Sequence, residues 1–373
     1  MRYQFPRTWS GPVILAVLQA GAYSPPAEGR IERVATLETP RAAHTTTGLP
    51  SGQLLVAGGM GRGGGSLSSA ELIDPSAASV QAIGSMTDAR AGHTATALPD
   101  GRVVLAGGYD GAYLQSVEVF DPARRRFAIL GQLLEGRSGH TATLLPGGRI
   151  LIVGGVGRGW SFLASAEVFD PGTGRSEAVG SLSVPRESHT ATALADGRVL
   201  VVGGHQGRRQ AMEVYASAEL YDPATRRWQA AGQLSTARHK HDAVRLADGR
   251  VLVIGGADRT DRRYYATTEV FNPASARFDP GPAMAGTRYK IQGTSIRLAS
   301  GDVLVPAGAR TAELLDQRSG TFRPVAGDFA EAISSRLGAT RFWLGFVPLR
   351  YPTRGGVRTS WSLLAPSVRA LAA

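Results

Sequence analysis

The chain has no cysteine. Disulfide scaffolds, thiolate metal centres and cysteine nucleophiles are therefore excluded. Only two of its 41 basic residues are lysine, Lys240 and Lys290. Aromatic residues are scarce at 7 %, and no apolar run reaches the roughly 20 residues that span a bilayer as a helix. Acid is missing from residues 332–373, which carry six arginines. Together with residues 1–30, at +2, that stretch accounts for most of the net charge of +11. The body of the chain is left at about +3, so no basic groove for nucleic acid is expected.

Glycine, in contrast, is abundant. The 48 glycines and 21 prolines suit many short strands joined by turns. They do not suit a helical bundle or a coiled coil. Hydrophobic residues make up 43 %, enough for a large core.

The N-terminus reads as an export leader. Arg2 and Arg7 precede the apolar run from Pro12 to Leu18, and the small residues Ala20, Gly21 and Ala22 come after it. That order is the one a secretory signal peptide has. Residues 1–24 are assigned to it, and a periplasmic or secreted location is expected.

A repeat of about fifty residues organises the body of the chain. Each unit opens on an arginine: Arg41, Arg90, Arg137, Arg186, Arg238 and Arg288, at spacings of 49, 47, 49, 52 and 50 residues. A histidine stands three residues later in five units, at His44, His93, His140, His189 and His241. A turn such as Asp100-Gly101, an apolar run such as Val103 to Ala106, and a glycine doublet come next. The doublets are Gly58-Gly59, Gly107-Gly108, Gly154-Gly155, Gly203-Gly204 and Gly255-Gly256, with Ala307-Gly308 in the sixth unit. A glutamate then precedes each third strand's large residue: Glu71, Glu118, Glu167, Glu219, Glu269 and Glu313. A fixed period near fifty points to a propeller or a solenoid, and each unit resolves into four short strands.

These units resemble the kelch repeat family. The doublets carry the likeness, as do aromatic pairs on the third and fourth strands: Tyr221 with Trp228, Phe120 with Phe127, and Phe271 with Phe278. The resemblance covers about residues 31–328. It implies an all-β chain folded as a kelch-type β-propeller, with six recognisable four-stranded blades over residues 25–328. Residues 329–373 lose every marker. They read either as a degenerate seventh blade, closed by an N-terminal strand near Ile31–Leu37, or as a tail outside the propeller.

Equal numbers of repeated arginines and glutamates predict arginine–glutamate pairs at the blade junctions, each with two parallel hydrogen bonds. Six equivalent acids do not make an active site, so this is scaffolding. The five histidines in register are expected to hydrogen-bond locally rather than gather on a metal, because equivalent positions stand far apart around a propeller. His205 and His239 lie out of register and are better functional candidates, although the plainer reading is a solvated loop position.

Function on such a fold lives in the loops. The segments after the doublets vary most, and they supply the candidate ligand-binding residues: Tyr109, Arg158, Trp160, His205, Arg208, Arg209, Arg262, Arg263, Tyr264 and Tyr265. Guanidinium groups beside aromatic rings suit sugars with acidic groups or an acidic protein surface. The leading expectation is a non-catalytic recognition scaffold that binds a protein or glycan through one face. Two enzyme types come with the resemblance. Galactose-oxidase-like enzymes use copper and a tyrosine linked to cysteine, which this chain cannot form. Sialic-acid mutarotases need no metal and are the alternative. No catalytic constellation, cofactor or metal is expected from the residues, and no nucleic acid partner or membrane span in the mature chain.

Overall fold

The structure is a computed structural model that describes residues 12–17, 30–327, 349–353 and 356–360. Most of the doubtful last unit thus lies outside the described residues, as does most of the leader. Among the described residues the chain forms six four-stranded antiparallel sheets, five built from consecutive strands and the fourth interrupted by a two-stranded ribbon between its second and third strands. In the second blade these are Thr94–Ala97, Val103–Ala106, Ser116–Asp121 and Arg126–Gln132. The first blade runs over residues 45–83, the third over 141–179, the fourth over 190–233, the fifth over 242–280 and the sixth over 296–324. First strands of successive blades lie side by side around the axis. The architecture is a β-propeller with almost no helix, as the repeat implies.

The second strand of a blade explains why four residues in a row can be apolar. Side chains alternate along a strand, and here both faces meet another blade. Val103 and Leu105 pack with Leu55, Ala57 and Leu72 of the first blade. Val104 and Ala106 pack with Ile150 and Ile152 of the third. The same alternation continues through the third to sixth blades. A single blade cannot hide its apolar faces, so the blades are stable only as a stack.

The N-terminal strand Arg30–Thr36 lies beside Ser79–Ile83, the outer strand of the first blade. Outer strands of true neighbours meet in the same way, as Arg126–Gln132 meets Arg175–Val179. Its continuation, with Ala35 and Leu37, packs on Leu54, Val56 and Ile73. The strand also pairs antiparallel with Pro12–Val17. Its place beside the outer strand of the first blade is that of a neighbouring outer strand, although it pairs in a separate two-stranded sheet.

The repeated charges sit where the chain enters each blade. All six arginines and all six glutamates are buried. Nη1 of Arg90 donates to the carbonyl oxygens of Gly107 (2.7 Å) and Ser116 (3.1 Å). Its Nη2 donates to Ser116 Oγ (3.1 Å) and Glu118 Oε1 (2.7 Å). The other oxygen of Glu118 accepts the backbone N–H of Thr87 at 2.8 Å, in the lead-in to the blade. Equivalent pairs recur from Arg41–Glu71 to Arg288–Glu313. The expected two parallel bonds between arginine and carboxylate are not what forms. The guanidinium divides itself between a carboxylate and two main-chain carbonyls, and so ties the lead-in, the glycine doublet and the third strand together.

Histidines in register do not bond within their own blade. In four of the five, Nε2 reaches the first threonine of the preceding blade: His93 to Thr45 at 2.9 Å, His140 to Thr94 and His189 to Thr141 at 3.0 Å, and His241 to Thr190 at 3.1 Å; His44, in the first blade, has no such partner among the described residues. At the fifth-to-sixth junction the pattern changes on both sides at once. Ile291 replaces the histidine and Asp242 replaces the threonine. Asp242 instead accepts the backbone N–H groups of Gly293, Thr294 and Ser295 at 2.8, 3.0 and 2.7 Å.

Candidate functional site

Connections between second and third strands, and the lead-ins between blades, share one face of the propeller. Their geometry is repetitive. The residue after each doublet bridges to the residue after each opening arginine: Met60 to Ala42, Tyr109 to Ala91, Val156 to Ser138, His205 to Glu187, and Ala257 to His239. The next residue along each lead-in has a left-handed backbone, at Ala43, Gly92, Gly139, Ser188, Lys240 and Lys290, with φ between 53° and 65°. Side chains at these registers line one rim. They are small in the first three blades and become Glu187, His239-Lys240 and Tyr289-Lys290 in the last three. Both lysines of the chain thus occupy a backbone conformation that lysine rarely adopts and that the repeat imposes at every lead-in.

One aromatic cluster draws on three consecutive blades. Tyr109 and Tyr113 meet edge to face at 5.2 Å, and Tyr113 meets Trp160 edge to face at 5.9 Å. Tyr109 and Trp160 lie 6.4 Å apart. Arg208, from the fourth blade, places its guanidinium 3.9 Å over the Trp160 ring. Trp160 nevertheless remains 55 % exposed. It stands in a short 3-10 turn, Arg158–Trp160, whereas Arg208 precedes another such turn, Arg209–Ala211, at the tip of the ribbon His205–Gln206 with Glu213–Val214. Burial pushes the Tyr113 hydroxyl up to about 12, with Arg208 opposing.

A polar chain runs beside this cluster. His205 contacts Phe162 at 5.6 Å and His239 at 4.8 Å between ring centres. The Nδ1 atoms of the two histidines are 3.2 Å apart, so they share one proton. Nε2 of His239 faces the Asp258 carbonyl oxygen at 3.1 Å and Asp261 Oδ1 at 3.2 Å, and therefore carries a hydrogen. His239 then accepts at Nδ1, and His205 donates. Nε2 of His205 faces Glu187 at 3.8 Å, and Lys240 pairs with Asp261. The expectation of solvated loop histidines fails: both are buried, His205 at the residue after a doublet and His239 at the residue after an opening arginine, where the His205 ring meets Phe162 and His239.

On the far side, Tyr264 stacks on Tyr289 at 3.8 Å, and Lys290 lies 4.8 Å from the Tyr289 ring centre. Tyr265 receives Arg238 at 5.2 Å and Arg263 at 5.9 Å. Of the residues singled out from the sequence, Tyr109, Trp160 and Arg208 come together, His205 adjoins them, and Arg263, Tyr264 and Tyr265 form the second group. Arg158 and Arg262 are exposed, and no acid pairs with either among the described residues. Arg209 sits at the ribbon tip. Sequence reasoning missed Tyr113, Phe162, Glu187, Lys240, Asp261, Tyr289 and Lys290. Departures from small residues in the two positions after each arginine were the available signal for Glu187, Lys240, Tyr289 and Lys290, whereas Tyr113, Phe162 and Asp261 lie in the variable segments after the doublets. Among the described residues no three His, Asp or Glu side chains gather to hold a metal ion.

Comparison with known proteins agrees with this architecture. The family model described as the Kelch motif matches residues 89–133 and 137–183. The solved structure of YjhT is similar in fold, with a TM-score of 0.59. The alignment is 13 % identical and covers 77 % of this chain and 98 % of that one. No curated protein sequence matches the chain.

Proposed function

We propose that this kelch-type β-propeller is a recognition scaffold whose loop face binds a protein or glycan ligand at the cluster of Tyr109, Trp160 and Arg208. The observation that carries the reading is the Arg208 guanidinium stacked on a half-exposed Trp160. The two residues come from different blades, so the propeller frame pre-orders them for a ligand. Tryptophan and arginine held in place lose little entropy on binding and dominate most binding energies. The test is capture of glycans from an array, and of proteins from culture extract, by the wild-type chain and by Trp160→Ala. Ligands lost with Trp160 support the reading. Binding that is indifferent to Trp160 and Arg208 refutes it.

One observation favours a second reading, a carbohydrate-active enzyme of the mutarotase type. The chain from Glu187 through His205 and His239 to Asp261 can move a proton beside the aromatic cluster. A sugar-anomerisation assay decides it. Turnover abolished in Glu187→Gln supports an enzyme, and binding without turnover supports the scaffold. Export belongs to the same proposal and rests on the leader-like order of residues 1–24. Fractionation of cells that express the chain tests it. No helix among the described residues is long and apolar enough to cross a membrane.

A further inference from the structure

Resting on that reading, we infer that the ligand is a protein, and that its docking surface runs from Trp160 on the loop face over the rim to Leu134 and Ile129 on the outer wall of the second and third blades. Among the described residues the exposed large hydrophobic side chains are these three, each a little more than half exposed. A lone apolar side chain at a surface needs no explanation. A repeat, however, shows what its frame requires at each position, because the other blades hold the same register. Ile129 pairs with Glu118 across the two outer strands of its blade. The residues that pair with the equivalent glutamates are Ala82, Ala178, Ala230, Pro280 and Pro324. Leu134 donates its backbone N–H to Glu167 Oε2, as Glu38, Thr87, Ser183, Ser235 and Ala285 do to the other glutamates. Trp160 closes the tip turn that Gly157 opens, in the place Gly64 takes in the first blade. At all three registers the frame accepts a small or polar residue, so the large apolar ones belong to this surface and not to the repeat.

The three positions are linked. Gly136, just beyond Leu134, packs on the backbone of Tyr113, where an added β-carbon would lie 2.3 Å from the carbonyl oxygen. Gln115 Nε2 donates to the Leu134 carbonyl oxygen at 3.0 Å. Tyr113 in turn meets Trp160 edge to face. Ile129 precedes Leu134 on the strand that forms the edge of its sheet. This strip suits protein side chains rather than sugar. A sugar offers hydroxyls and a C–H face, which the Trp160 ring alone satisfies, and it leaves the aliphatic Ile129 and Leu134 in water. Apolar side chains of a protein partner cover both. Charge describes the border of that partner. Arg126 shares the strand of Ile129, Arg158 the tip turn of Trp160, and Arg208 covers that ring; all three are exposed. Of the acids nearby, Asp110 is exposed, whereas Glu135 turns its carboxylate to Ser165 Oγ at 2.9 Å and to Arg137 at 3.7 Å. The partner is therefore a protein with an apolar ridge bordered by carboxylates. A second copy of this chain fits poorly, because it would bring its own arginines against these.

The experiment places the photoreactive p-benzoylphenylalanine at position 129 of the full chain, or at position 230 on the wall of the fourth blade as a control. The chain is irradiated in extract of the cells that make it. Position 129 is expected to give an adduct with one other protein, and position 230 none. The adduct should vanish with Trp160→Ala, since one partner spans both ends of the strip. That partner is then purified and titrated calorimetrically. Ile129→Ala combined with Leu134→Ser restores residues that other blades use. The pair is expected to weaken binding at least tenfold, on the order of 1.4 kcal/mol, with the melting temperature unchanged. An adduct that persists in Trp160→Ala overturns the inference, as does a crosslinked dimer of the chain or no adduct at all. So does full affinity in the double variant. Each of these outcomes leaves the recognition scaffold standing while glycans still bind through Trp160, whereas loss of every Trp160-dependent ligand removes both.

Discussion

Thr94 of the second blade and His140 of the third are 46 residues apart in sequence, yet share a hydrogen bond of 3.0 Å at the inner edge of the propeller. The acceptor and donor roles are set by burial. Burial, with Arg137 close by, lowers the His140 pKa from an ordinary 6.5 to about 3, so the imidazole is neutral. His44 and His189 are lowered to about 3 in the same way, and His93 and His241 well below 6.5.

These five depressed values predict acid sensitivity. In the unfolded chain the rings take a proton below about 6.5, whereas in the folded chain His44, His140 and His189 resist until about 3 and His93 and His241 are held well below 6.5. Stability is therefore complete above pH 6.5 and declines as the pH falls through that window. Each ring contributes roughly 1.4 kcal/mol per pH unit to the decline. Thermal melting between pH 7 and pH 4 should fall steeply for wild type and less steeply for His140→Gln. Parallel curves would contradict the assignment.

Glu118→Ala removes the partner of Arg90 while the guanidinium stays buried. The expected loss is about 3 kcal/mol, because an unpaired buried charge is worse than no pair at all. Arg90→Lys should also destabilise, since an ammonium cannot reach Gly107, Ser116 and Glu118 together. Denaturant midpoints near wild type for both variants would show that the anchor is dispensable.

Gly107 has φ of 61°, and a β-carbon there would lie 2.6 Å from the Arg137 carbonyl oxygen of the next blade. Gly107→Ala is expected to cost more than about 1 kcal/mol, from strain and from separation of the two blades. Gly63→Ala is its control, with no atom within 4 Å of the added carbon. A melting temperature that shifts equally in the two variants would refute the close-approach argument.

Asp242 and Ile291 make a coupled pair of departures from the repeat. Asp242→Thr alone should destabilise, because the N–H groups of Gly293, Thr294 and Ser295 lose their acceptor. Adding Ile291→His should restore part of the loss by rebuilding the threonine–histidine bond of other junctions. A double-mutant cycle measures this directly, and strict additivity would show that the two positions are independent.

Much of the fold was legible because a repeat states its contacts several times over. Arginine and doublet recur 17 residues apart in five units, and the glutamates match the arginines one for one, so the pairing of Arg90 with Glu118 can be read from the chain alone. The threonine–histidine bonds were not legible, since each joins different repeats and neither residue signals a long-range partner. The division of each arginine among carbonyls was hidden too, because main-chain acceptors leave no trace in side-chain identity. At the site, Tyr109, Trp160 and Arg208 stood out as types. Tyr113 and Glu187 did not, because their importance comes from register against neighbouring blades. His205 and His239 looked like loop residues because local sequence says nothing about which loops are covered.

The buried ion pairs have a consequence for ionic strength. Each lies within one blade and its own lead-in, whereas the seam between blades is crossed by neutral imidazoles, hydroxyls and apolar side chains. Added salt can weaken exposed pairs such as Arg102 with Asp100, and Arg226 with Glu177 where the outer strands of the third and fourth blades meet, but it does not reach the buried contacts deeper in the seams. The ring should therefore hold together in brine as well as in dilute buffer, and lose only its ornaments.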